Sequence, residues 1–189
     1  MTRLVVLLVA TTTLLGCSDD GSGGADSEGG GDAGGSVSAG GAGPSGCDGG
    51  PLAAPLPGCA PEPLASTGDP HQDCVDRINQ LRWECQCLPP LARWTDAESC
   101  TDEQAASDQA SGSPHAGFGA CGEGAQNTCP NWGSAEDIIG GCLQGMWDEG
   151  PGEPYSEHGH YINMSNQGYS KVACGFATNG ETWSNQNFY

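Results

Sequence analysis

The chain has 189 residues and a formal net charge of −19, from 24 Asp and Glu against 5 Lys and Arg. Such a balance excludes nucleic-acid binding, which needs a basic footprint, and excludes charge-driven docking on anionic lipid. The excess is not confined to one end, since 16 acidic residues face 4 basic ones from His71 onward.

Residues 1–16 read as a targeting segment. Arg3 is followed by an apolar run, Leu4 to Ala10, too short to span a bilayer. Leu14-Leu15-Gly16-Cys17 then has the form of a lipoprotein cleavage site, with Cys17 as the acylated new N-terminus. Cysteine parity agrees. Of 11 cysteines, 10 remain after Cys17, the even number that a disulfide framework needs in an oxidising compartment. Cys85-Gln86-Cys87 lacks the spacing and the partner knuckle of a zinc ribbon.

Residues 17–70 read as a disordered tether rich in Gly, Ser and Pro. The stretch 18–70 holds 16 of the 32 glycines and too little apolar surface to offset its ordering entropy. As a flexible coil it would span about 40 Å. Cys47 and Cys59 flank its Pro-rich end and are expected to pair with each other.

Residues 71–189 read as one globular domain. Cys74, Ile78, Leu81 and Cys85 share a helical face, with Asp73 or His71 as cap. Thr95-Asp96-Ala97-Glu98 has the form of a capping box opening a second helix through Cys100, Ala105 and Ala110, whose alanines predict close packing. Ser134 to Asp137 opens a third, with Ile138, Cys142, Leu143 and Met146 inward, weakened at Gly140, Gly141 and Gly145 and ended by Gly150-Pro151-Gly152. Tyr161 to Met164 is a strand candidate. Val172, Cys174 and Phe176 alternate with smaller residues, and Asn179-Gly180 turns the chain into a partner strand, Thr182 to Phe188. Helices first and strands last give an α+β fold.

Four polar residues stand out. His115 precedes a glycine-rich loop, and Glu123 lies between Gly122 and Gly124. Glu149 ends the third helix, where its charge opposes the macrodipole and calls for a partner. His160 lies in Gly159-His160-Tyr161; His158 is flanking. Two imidazoles with two carboxylates can bind zinc or activate a water.

In this order the motifs resemble those of the CAP superfamily, which joins cysteine-rich secretory, antigen 5 and pathogenesis-related proteins. That family reads G-E-N at the middle motif and G-H-Y-T-Q-x-x-W at the last. This chain departs from it at Gly124 and near Asn166, and Trp147-Asp148-Glu149 is one residue short of W-x-x-E. The resemblance implies an α–β–α sandwich with a small antiparallel sheet, here reinforced by disulfides. It also implies a central cavity lined by His115, Glu123, Glu149 and His160, with His115 and His160 as metal ligands where a member binds zinc. The expected function is a non-catalytic binding module on the extracytoplasmic side, held to the membrane through Cys17. Its ligand would be a lipid, sterol, glycan or protein, and the expected state is a monomer. Two alternatives are a metal-assisted, peptidase-like hydrolase and a structural envelope protein with a vestigial cavity. No G-x-S-x-G elbow and no free cysteine nucleophile supports catalysis.

Overall fold

The computed structural model describes residues 47–189. The targeting segment, Cys17 and the expected tether up to residue 46 lie outside the described residues.

Helix α1 (Pro70–Gln86) starts at Asp69, whose carboxylate accepts from the His71 and Gln72 N–H groups at 3.1 and 3.4 Å. The cap is therefore neither Asp73 nor His71, because Pro70 occupies the first helical position and sets the start one turn earlier. The buried face carries Cys74, Val75, Ile78, Leu81 and Cys85, as its spacing predicts. At the far end Cys87 adopts a left-handed conformation, φ 55°, and its N–H bonds back to the Trp83 carbonyl.

Residues 47–69 are not a free tether. They form a strap along α1. The Leu52 and Leu56 N–H groups donate to the Gln86 and Cys85 carbonyls, which the end of a helix would otherwise leave without partners. Arg77 and Gln80 donate to the Pro61 and Glu62 carbonyls. Two disulfides fasten the strap, Cys47–Cys87 and Cys59–Cys85, with Cα separations of 5.3 and 5.5 Å. The expected Cys47–Cys59 bridge is thus replaced, and residues 47–70, expected in the tether, belong to the fold. Proline-rich composition reads as linker, but external carbonyl acceptors and covalent bridges supply the ordering that local burial cannot.

Among the described residues four strands form one sheet, in the spatial order β1 (Ala92–Arg93), β3 (Lys171–Asn179), β4 (Glu181–Phe188), β2 (Ala125–Trp132). Strands β3 (Lys171–Asn179) and β4 (Glu181–Phe188) form the expected hairpin, with Gly180 at φ 82° in its turn. Strand β2 (Ala125–Trp132) pairs antiparallel with β4, and the two-residue β1 (Ala92–Arg93) pairs parallel with β3. Neither β1 nor β2 is legible from composition, since AQNTCPNW lacks the apolar alternation of a strand.

Helix α2 (Thr95–Ser111) covers one face of the sheet. Its capping box does not form. Glu98 instead pairs with Arg93, Nε to Oε1 at 2.5 Å and Nη2 to Oε2 at 3.0 Å, and no side chain caps the helix. Close packing is explicit at Gly175 of β3, where a Cβ would lie 2.3 Å from the backbone of Thr101. The buried face of α2 is Ala97, Thr101, Gln104, Ala105 and Asp108; Ala110 is exposed.

On the other face lie α1, α4 (Leu143–Asp148) and α5 (Tyr155–Ser165). Ser134 caps the short α3 (Ala135–Asp137), which runs through a π-helical segment, Ile138–Cys142, into α4. The loosened turn coincides with Gly140 and Gly141. A Cβ on Gly141 would meet the Trp132 ring at 2.8 Å. Ile138, Cys142, Leu143 and Met146 are all buried, as expected. Tyr161 to Met164 is not a strand but the second half of α5. Tyr161 and Met164, three residues apart, are buried together in the core, and that helical period overrides the β propensity of Tyr161 and Ile162.

Three further disulfides, Cys74–Cys174, Cys100–Cys121 and Cys129–Cys142, tie these layers together. All ten cysteines from Cys47 onward are paired.

Candidate functional site

Two elements bring the histidines to one place. His115 sits at φ 65° in the loop that leaves α2, and His160 sits in α5. Both line a single cleft of about 280 Å³, together with Gln126, Tyr155, Ser156, Gly159 and Asn163. Gly159 lets the aromatic wall lie close, since a Cβ there would lie 3.0 Å from the Tyr155 ring. The Tyr155 hydroxyl donates to Asn163 Oδ1 at 3.2 Å, and Asn163 Nδ2 donates to Asn127 Oδ1 on β2.

Glu149 finds the partner that its position demands. Its Oε1 lies 2.5 Å from His160 Nδ1, while Oε2 accepts from the His160 and Tyr161 N–H groups at 3.0 and 3.4 Å. A carboxylate can only accept here, so Nδ1 carries the hydrogen, and in the neutral ring Nε2 keeps the lone pair. His158 has a separate task. Its Nδ1 donates to the Glu149 and Gly150 carbonyls at 2.7 and 3.0 Å, closing the end of α4 onto α5. Its ring fills the space over Gly152, where a Cβ would come within 2.4 Å. Arg82 anchors the opposite end of α5 through the Met164 and Asn166 carbonyls, favourable for a cation at a helix C-terminus. Burial pulls its pKa down to about 10.

Glu123 is placed differently from Glu149. It is 7% exposed and does not bond to His115. Its Oε1 accepts from the Gly119 N–H at 2.6 Å and from Gln104 Nε2 at 2.7 Å, and its Oε2 accepts from the Cys121 N–H at 3.0 Å. Asp108, fully buried, does the same for the start of the loop. It accepts from the His115 and Gly117 N–H groups at 3.0 and 3.3 Å and from Asn185 Nδ2 at 3.0 Å. Two buried carboxylates therefore hold the N–H groups of residues 115, 117, 119 and 121, every second residue of the loop, and the Cys100–Cys121 disulfide closes it. Sequence reasoning missed Asp108, Gln104 and Gln126. A polar residue on the inward face of α2 is the signal that was available for the first two.

The family model for CAP, the cysteine-rich secretory protein family, matches residues 75–189. The chain belongs to this family. A comparison with curated proteins gives no match. Family membership and five disulfides mark an extracellular protein with a binding-type module. Among the described residues no helix is long and apolar enough to cross a membrane. The strap, residues 47–69, lies outside the matched region.

As a metal site the cleft is a half-set. Its wall offers two imidazoles, where a catalytic zinc takes three protein ligands and a structural one four. Among the described residues no three His, Cys, Asp or Glu side chains gather into a metal-holding group. The contact between Glu149 and His160 is nevertheless the carboxylate–histidine pairing that orients zinc-binding imidazoles.

Proposed function

We propose that this protein is a non-catalytic binding module, tethered through an acylated Cys17, whose cleft between His115 and His160 takes a small polar ligand. The observation that carries the proposal is the convergence of two imidazoles, two amides (Gln126 and Asn163) and the Tyr155 ring on one cleft. Few, directional polar groups against an aromatic wall are what a small-molecule site uses to fix orientation. All ten cysteines from Cys47 onward are bridged, so none of them is a thiol nucleophile.

A divalent cation would be held by His115 and His160, with water or ligand oxygens completing its shell, and it would supply Lewis-acid polarisation of a bound group. Titration of the mature chain with zinc alone, followed by calorimetry, tests this. Weak one-to-one uptake is expected, lost in both His115→Ala and His160→Ala while circular dichroism stays unchanged. Uptake that survives both substitutions would remove the metal role from the cleft. Anchoring is tested separately by labelled fatty acid, which should enter the wild type and not Cys17→Ser. Label in the variant would overturn the anchor.

A further inference from the structure

The hydrogen-bond chain behind His115 has a direction, and the direction can be read without placing a hydrogen. At one end stand two groups that only accept, the Glu123 carboxylate and the Gly117 carbonyl. Both face the same atom of Gln104, at 2.7 Å each, so that atom must be its NH2. The Gln104 carbonyl then faces away, toward Gln126 and Asn187. A second anchor fixes Asn187. The Thr101 hydroxyl donates to the Ala97 carbonyl at 2.8 Å and is left to accept from Asn187 Nδ2 at 3.1 Å. The Asn187 carbonyl therefore also faces Gln126. The Gln126 NH2 lies between these two carbonyls, at 3.1 Å from Gln104 and 2.9 Å from Asn187. Flipping Gln126 would set its oxygen against two other oxygens in a buried site, at the cost of unmade bonds. Its oxygen must face His115 Nδ1, 3.0 Å away. Thr128 Oγ1, at 3.3 Å, can share the same hydrogen.

We infer that Glu123 acts through Gln104 and Gln126, alongside the Thr101–Asn187 anchor, as a positioning group that fixes His115 in the Nδ1–H form. Its role is not that of an acid in the cleft. Glu149 does the same to His160 directly, so both cleft imidazoles, when neutral, keep Nε2 as a lone-pair acceptor. A ligand is then met by two acceptors, which suits a cation or a donor-bearing group such as a hydroxyl or an amine. The inference deepens the proposed binding role and rests on it only for what Nε2 meets. The tautomer itself is measured without ligand, so failure of one is distinguishable from failure of the other.

The test is long-range proton–nitrogen correlation NMR on the full chain labelled in histidine, at a pH where imidazoles are neutral. His115 should show a protonated Nδ1 and a bare Nε2. An Nε2–H signal for His115 in the wild type would overturn the inference outright, with no variant needed. Gln104→Met together with Asn187→Leu removes both carbonyls that hold the Gln126 NH2, and His115 should become a mixture of the two forms. A pure Nδ1–H signal in that double variant would also overturn it. Adding Gln126→Glu to the double variant restores an obligatory acceptor beside Nδ1 and should return His115 to the Nδ1–H form. His160 should stay Nδ1–H throughout.

Discussion

The two faces of the sheet are built from different chemistry. Toward α1, α4 and α5, the hairpin presents Val172, Cys174 and Phe188, which join one apolar cluster with Ile78, Leu81, Leu143 and Met164. Toward α2, the same two strands present Ala173 opposite Asn187 and Gly175 opposite Asn185. There the buried partners are Thr101, Gln104 and Asp108. One face holds the fold by area removed from water. The other holds a particular loop in place by directional bonds, and the cleft histidine on that loop is the beneficiary. A satisfied buried polar network specifies geometry where an apolar layer only favours contact.

The largest expected effect of separating the two comes from the apolar face. Ile78→Ala deletes a fully buried side chain from α1 and should cost about 2–5 kcal/mol in urea unfolding. The His115 tautomer should not change, since no member of its relay belongs to that apolar cluster. A shifted tautomer in a variant that still folds would mean that the two faces are coupled.

The polar face predicts the opposite pattern. Asp108→Ala strips acceptors from the His115 and Gly117 N–H groups and from buried Asn185. The expected loss is roughly 2–3 kcal/mol, because the exposed loop amides regain water while Asn185 does not. His115, however, loses the bond that holds its left-handed backbone. Its resonances should broaden and zinc uptake should weaken, while Asp108→Asn keeps part of both. Equal damage to stability with an undisturbed His115 would show that Asp108 serves the core alone.

The same contrast explains what the sequence disclosed. Periodicity finds apolar faces, and it found α1, the helix running to Asp148 and the β3–β4 hairpin. The four family motifs singled out His115, Glu123, Glu149 and His160 by local pattern, and of these His115 and His160 line the cleft. The α2 face carries Thr101, Gln104 and Asp108 at helical spacing, but polar residues at that spacing look like solvent contacts until a partner strand is known. β2 was hidden likewise, since Gln126, Asn127 and Thr128 are buried polar residues. The strap was misread because its order comes from α1 carbonyls and from cysteines 26 and 40 residues away. Glu123 was expected beside the histidines in the cavity, yet Gln104 and Gln126 stand between it and His115, and intervening amides leave no trace in a motif.

On the apolar side, the strap is held at an exposed rim, and there the smallest effect is expected. Asp73 of α1 ties down the end of the strap, accepting from Ser66 Oγ at 2.5 Å and from Thr67 N and Oγ1 at 2.8 and 2.6 Å. Burial pushes its pKa up, but the hydrogen bonds from Ser66 and Thr67 outweigh burial and hold it below the ordinary 3.8. A carboxyl whose pKa is depressed by folding stabilises the folded form above the unfolded pKa, and the contribution is lost as pH falls through the lower, folded value. Acidification below about pH 4 should therefore release the Thr67 amide first. Hydrogen exchange on the intact chain would show its protection falling while amides of β3 and β4 stay protected. Asp73→Asn should remove that pH step from Thr67 and leave the cleft as it was. If Thr67 and the sheet lose protection together, the strap is part of the cooperative core and not a separately held rim.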